Sequence, residues 1–205
     1  MASSGLRELR AVRTREAIVA AAYALFAERG FQATTVDDIA ARAEVAPRTF
    51  FRYFPTKEAV VFARAPEQRE QIAAALAERP ADEPPFASLV VVVSEFAERL
   101  EDQRKELKLR QKIAAECSGL WAYERAVFDA EMAQTLSGFV AERLHTTVNA
   151  DLRPQVWAAI VMSTLRIAVH HWLEHGQHGR VRPLVERALA AAAESLTSVP
   201  VGATS

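Results

Sequence analysis

A chain of 205 residues, half of them hydrophobic and a quarter charged, can bury a sizeable core in one or two domains and is ordinary for a water-soluble globular protein. Its single cysteine, Cys117, rules out an intrachain disulfide and fits a reducing cytoplasm. The net charge of −1 hides an asymmetry: residues 1–64 carry ten Lys/Arg against seven Asp/Glu, and the remainder fifteen against nineteen. A basic N-terminal module on an acidic body is the pattern expected when only the first domain meets phosphates. The N-terminus lacks the apolar core of a signal peptide. The apolar stretch Val156 to Leu165 is well short of the ~20 residues that span a bilayer, so a cytoplasmic protein with no membrane partner is expected.

Residues 1–12 read as a disordered basic arm. Arg7 and Arg10, with Arg13 and Arg15 just beyond, either reach an adjacent minor groove or belong to a solvated tail. A first helix is predicted from about Arg13 to Arg29, with Ile18, Ala22, Leu25 and Phe26 on one face. Gly30 ends it, and Phe31 supplies the hydrophobic contact that often follows such an end. Thr35 is the expected N-cap of a second helix, with Asp38 three residues on completing a variant capping box. Val36, Ile39, Ala40 and Ala43 recur at helical spacing and face a core.

Glu44-Val45-Ala46 makes a turn, and Pro47 suits the first position of a third helix, because its fixed φ is already helical. This helix reads PRTFFRYF, with Phe50 and Phe54 four apart on the buried side. Arg48, Thr49, Phe51, Arg52 and Tyr53 then point outward or flank that face. Such a helix suits the major groove, where Arg bonds guanine edges and Thr or an aromatic ring meets the thymine methyl. Thr56 caps a fourth helix that opens at Lys57 and carries Ala59, Val60 and Phe62; Pro66 predicts a kink or break near Ala65 before helix resumes to about Arg79.

PADEPP, residues 80–85, is a loop. Helices follow over about Phe86–Asp102, Lys105–Cys117, Trp121–His145, Arg153–His175 and Pro183–Thr197, with a disordered tail over 199–205. The β-branched run Val90–Val93 falls in a segment whose length and polar C-terminal half favour helix. With no repeat, phosphate loop or strand pair, the chain reads as all-α. The last two helices are the expected dimer interface. Leu184, Leu189 and Leu196, with Ala190–Ala193 between, offer a face of small residues, and the preceding helix is apolar nearly all round from Val156 to Val169.

Residues 14–61 resemble the helix-turn-helix domain of TetR-family transcriptional regulators. Thr35, Ile39-Ala40, Ala43, Val45, Phe51, Tyr53-Phe54 and Lys57-Glu58 match the family motif in order and spacing. Three positions depart from it. Glu44 replaces the usual glycine of a left-handed turn, at about 1 kcal/mol. Ala46 replaces a capping serine, also at about 1 kcal/mol. Phe51 replaces tyrosine and so lacks a hydroxyl for DNA.

The resemblance implies a basic arm (1–12), a three-helix DNA-binding domain (13–64), and a larger helical effector-binding and dimerisation domain (65–198), about nine helices in all. It implies a cytoplasmic homodimeric one-component regulator, expected to be a repressor. Such a protein binds a palindromic double-stranded DNA operator and is released by a hydrophobic small-molecule effector. Arg48, Thr49 and Phe51 are expected at base edges with Pro47 close by; Thr35, Tyr53 and Lys57 are expected on phosphates, and Arg52 on either. The effector pocket would be lined from Phe62, Val92, Phe96, Leu100, Leu109 and Ile113, with Cys117, Trp121, Phe128, Met132 and Leu165, each of which packs equally well as plain core. Arg166, in an otherwise apolar helix, either pairs with an acidic residue of the bundle or meets an anionic group of the ligand; Arg110 poses the same alternative.

HHWLEHGQH sets His171 and His175 four apart on one helical face, with His170, Glu174 and His178 nearby. That spacing suits a metal, which makes a metal-responsive regulator the alternative reading; a helix end also carries His because it favours the dipole. Cys117, beside Glu116, has no positive neighbour in sequence to make its thiol reactive. No arrangement supports catalysis, and no cofactor is expected.

Overall fold

The structure, a computed structural model, describes residues 2–117, 119–120, 129–175 and 179–198. Every regular element among them is helical. The chain divides into two compact units, residues 1–65 with 105–128, and residues 66–104 with 129–205.

The first unit is built on α1 (Ala2–Arg29), α2 (Val36–Arg42), α3 (Pro47–Tyr53) and α4 (Lys57–Val61). Contrary to the expected disordered arm, α1 is continuous from Ala2. Ala, Leu, Arg and Glu dominate its opening turns; all are strong helix formers, and extending an existing helix avoids the cost of nucleation. Gly30, at φ +85°, takes the left-handed conformation that ends α1, and its N–H donates to the Phe26 carbonyl at 3.0 Å. Phe31 then folds back on Phe26, ring centroids 5.0 Å apart. The core joins Ile18, Ala22, Leu25, Phe26 and Phe31 to Ile39, Phe50, Phe54, Val60 and Phe62.

Residues of α7 (Arg104–Glu116) and just beyond complete that core: Ile113, Ala114 and Leu120 are buried in the same cluster. This segment, which the sequence reading assigns wholly to the body, therefore belongs with the DNA-binding helices. Fully burying one such aliphatic side chain contributes roughly 1.5–3 kcal/mol, so the first unit's interior depends on it.

The expected break before Pro66 falls at residues 62–64, and α5 (Ala65–Ala77) restarts with Pro66 in its first turn, where a missing N–H is tolerated. The second unit comprises most of α5, then α6 (Pro85–Arg99), a 3₁₀ turn (Glu101–Gln103), α8 (Ala130–Arg143), α9 (Arg153–His175) and α10 (Val181–Ser198). The run Val90–Val93 is helical, with Val92 and Val93 in the core beside Leu89 and Phe96. Helix α9 packs along α8, α10 and α6 through Ala158, Val161, Leu165, Ala168 and Trp172.

Leu189 departs from its expected place on a dimer face. It is fully buried within its own chain, because α10 turns its Val181-Val185-Leu189 stripe onto the bundle. Leu184 is half-buried, and Ala190 and Ala191 are exposed. Helix α9 is long and apolar enough by length and composition alone to cross a membrane, which exceeds the sequence expectation; within the unit it is a bundle helix. Its outward side leaves Val156 47% and Ile167 69% exposed.

Candidate nucleic-acid interface

The motif is assembled from local signals. The Asp38 N–H donates to Thr35 Oγ1 at 3.2 Å, and the Thr35 N–H returns to Asp38 Oδ2 at 2.9 Å, so the capping box closes on both sides. Those bonds from the Thr35 hydroxyl and amide, with the Arg29 guanidinium 2.6 Å away, hold the Asp38 carboxyl down at about 2. The hydroxyl of Thr35 also donates to Asp38 Oδ2 at 2.5 Å, so a phosphate there would have to compete for it.

Glu44 lies at φ +55°, the left-handed conformation anticipated for the turn, and lets the Val45 N–H reach the Ala40 carbonyl at 2.9 Å. Ala46 gives no side-chain cap to α3; its carbonyl accepts from the Thr49 N–H at 2.7 Å and Pro47 follows at the first helical position.

Phe50 and Phe54 anchor α3, at 0% and 3% exposure, and fix which side faces out. Pro47, Arg48 and Arg52 are exposed and Thr49 and Tyr53 half-buried. Phe51 stands edge-on to Phe50 with 54% of its surface in solvent, a large apolar ring held outward on a short helix. Arg52 lies over the Tyr53 ring, 5.0 Å from its centroid, and donates to the Tyr53 hydroxyl at 3.4 Å. The Arg48 guanidinium, by contrast, has no hydrogen bond or ion pair among the described residues.

Lys57 has partners inside the unit. Its Nζ donates to the carbonyls of Phe31 at 2.7 Å and Thr34 at 2.9 Å, over the Phe31 ring at 4.1 Å. Partial burial pulls its ammonium below the ordinary lysine value. Two of its three protons thus tie the start of α4 to the α1–α2 connection, and one is left to meet a phosphate. Arg15 likewise turns inward, donating to the Ala63 carbonyl and lying 5.4 Å from the Phe54 ring centroid, which takes it out of the basic arm.

A polar cluster that the sequence reading missed fastens α7 to these helices. The Tyr23 hydroxyl donates to the Val61 carbonyl at 2.8 Å, and Arg64 Nε donates to both Glu106 carboxylate oxygens at 3.2 Å. Burial and the Glu106 carboxylate push the Tyr23 hydroxyl well above its usual range. Arg110 lies 5.5 Å from the Phe62 ring centroid, so it stacks on an aromatic side chain within the unit. The one sequence signal was Tyr23, a phenol in an otherwise apolar stripe.

The candidate effector-lining residues fall into both units. Phe62, Leu109, Ile113 and Cys117 belong to the core of the first or pack against it. Val92, Phe96, Leu100, Met132 and Leu165 are buried in the second. Trp121 and Phe128 lie outside the described residues. Arg166 meets the first of its two expected fates: its Nη1 donates to Asp129 Oδ2 at 2.8 Å. His171 and His175 stack with ring centroids 4.5 Å apart, and His170 pairs with Glu174 at 3.2 Å. Among the described residues no three His, Cys, Asp or Glu are grouped to hold a metal; His178 lies outside them.

Comparison with known proteins agrees with this geometry. The family of bacterial regulatory proteins of the tetR type matches residues 18–63, and the MftR C-terminal domain family matches residues 83–197. The HTH-type transcriptional regulator TcmR of Streptomyces glaucescens is 31% identical, over 82% of this chain and 76% of its own. The HTH-type transcriptional regulator EthR of Mycobacterium tuberculosis is 30% identical, over 77% of this chain and 84% of its own. The crystal structure of Thermus thermophilus FadR, a repressor in complex with lauroyl-CoA, superposes with a TM-score of 0.60 at 25% identity, covering 93% of this chain and 99% of that one. A two-unit all-helical chain with this helix-turn-helix and these relatives belongs to the TetR family of DNA-binding transcriptional regulators.

Proposed function

We propose that the protein is a homodimeric, cytoplasmic repressor that binds a palindromic operator and is released by a hydrophobic small molecule. The observation that carries this reading is the outward face of α3: Arg48 and Phe51 stand in solvent with Thr49 half-buried beside them, while Phe50 and Phe54 hold the helix in place. Arg48 and Thr49 read base edges, Phe51 meets a thymine methyl, and Pro47 sets the approach of the helix. Tyr53 and Arg52 act on the flanking backbone or, for Arg52, a base; Thr35 and Lys57 reach phosphates with whatever bonding capacity the capping box and loop leave them.

The dimer reading is supported by Val156 and Ile167 on α9 and Ala190 and Ala191 on α10. An exposed apolar stripe beside small residues lets paired helices approach closely. Two-fold pairing repeats α3 at a fixed separation, so half-sites recur about one helical turn or a multiple of it apart. The effector reading is supported by the apolar side chains of the second unit and by the lauroyl-CoA bound to the Thermus thermophilus relative. An effector that binds the two states unequally shifts α4 through the chain segment 62–65, alters the spacing of the two α3 helices and lowers operator affinity.

Selection of fragments from genomic DNA with the purified protein tests this directly. The expected result is enrichment of an inverted repeat, with two protected half-sites in the footprint. Recovery of no DNA, or of an unrepeated single site by a lone subunit, would overturn it.

A further inference from the structure

Helix α5 carries a glutamine where its own pattern calls for an apolar side chain. Gln68, Ile72 and Leu76 fall four residues apart on one face, and all three are buried, Gln68 with 8% of its surface exposed. Ile72 and Leu76 belong in such a stripe. A carboxamide there takes two donors and an acceptor oxygen out of water. Against that demand the Gln68 side chain makes one hydrogen bond among the described residues, from Nε2 to Gln103 Oε1, and it is long at 3.4 Å. Leucine or methionine would fill about the same volume with nothing left to satisfy.

The surroundings of this glutamine are looser than the rest of the second unit. Helices α6 and α9 each approach α8 and α10 closely, and α5 approaches none of these to the same degree. Its far end is fastened firmly, since Arg143 donates to the carbonyls of Arg79 at 2.7 Å and Pro80 at 2.5 Å. At the Gln68 end the ties are the 3.4 Å amide contact and an Arg69–Glu131 approach of 3.7 Å. An entering molecule therefore meets least resistance where the two amides are. From Gln68 the stripe runs on for about 12 Å to Leu76. Leu100, whose carbonyl accepts from the Gln103 N–H at 3.0 Å, is buried in the facing turn.

We propose that Gln68 and Gln103 hold the polar end of the effector, and that this end is a neutral hydroxyl or amide. Such a group accepts from one carboxamide and donates to the other, whichever way the two amides are turned, and replaces one long bond by two of ordinary length. The apolar body then lies along Ile72 and Leu76. A carboxylate could only accept, and it would be buried without a counter-charge. The cations nearest in sequence are engaged, Arg69 with Glu131 and Arg104 over the Trp172 ring, 4.7 Å from its centroid. The inference deepens the effector reading above and rests on it.

Calorimetric titration of the full-length protein with decan-1-ol, decanamide and decanoate tests this. The parent protein should bind the first two tighter than decanoate by about tenfold or more. Gln68→Leu should weaken decan-1-ol and decanamide by about threefold to tenfold and leave decanoate where it was. Without any probe, Gln68→Leu should melt at or above the Tm of the parent. Ile72→Ala, one turn on, should lower Tm and weaken all three probes alike. A Tm loss in Gln68→Leu as large as that in Ile72→Ala makes the amide a structural bond and overturns the proposal. So does a preference for decanoate, or a preference for the alcohol and amide that survives Gln68→Leu. Binding of none of the three by the parent protein would instead remove the hydrophobic-effector reading itself.

Discussion

Lys57 separates two readings that the sequence motif runs together. A lysine at the start of a helix next to DNA invites a phosphate, but here Nζ already donates to the carbonyls of Phe31 and Thr34. Replacing it with alanine removes two hydrogen bonds from a charged donor, each worth about 1.5–3 kcal/mol in isolation. It also removes an ammonium–ring contact of about 0.5–1 kcal/mol. Two offsets reduce the sum. The Phe31 carbonyl keeps the Thr34 N–H at 3.2 Å, and the buried ammonium no longer needs desolvating. A net loss of about 2–3 kcal/mol is expected, or roughly 5–10 °C in Tm for a chain of this length. The salt slope should fall by no more than about 0.9, the share of the single proton left for a phosphate. Denaturation with urea and an operator titration across salt, on the same preparation of Lys57→Ala, give both quantities. Unaltered stability would refute the tie to the α1–α2 connection and restore the simple phosphate anchor.

Other substitutions probe the motif residue by residue. Arg48→Ala should weaken operator binding by about 1–3 kcal/mol and relax preference at one base pair, read by a binding titration against single-base operator variants. Glu44→Gly should raise stability by up to about 1 kcal/mol in chemical denaturation, since glycine takes φ +55° without strain. The Asp38 carboxyl falls from 3.8 in the unfolded chain to about 2 in the fold, so its contribution is complete above pH 4. That contribution is lost as pH drops from about 4 toward 2, and Asp38→Asn should flatten this limb of the stability–pH curve while lowering the plateau above it.

The helix-turn-helix was legible because its signals are local. Thr35 with Asp38, Gly30 with Phe31, Pro47, and the Phe50–Phe54 pair each act within a few residues, and each took the conformation its chemistry dictates. The placement of Glu44 in a left-handed turn was readable for the same reason. What failed was tertiary. The carbonyls that hold Lys57 were not legible because they lie on the α1–α2 connection, far back in the chain. Leu189 sits at a spacing that suits an outer face, yet its side chain points into its own bundle. Charge and terminal position suggested a disordered arm over residues 1–12, although propensity favoured helix; composition outweighed propensity in that reading and should not have. Arg166 was legible only as a pair of alternatives, because Asp129 is brought to it by the fold.

Because residues 105–128 fold with residues 1–65, the chain leaves the DNA-reading head and comes back before finishing the rest. A swap of specificity made by cutting once near residue 65 would transplant a head whose interior lacks Ile113, Ala114 and Leu120. Grafts that move both segments together should keep their grip on DNA, and single-cut chimeras should lose solubility before they lose recognition.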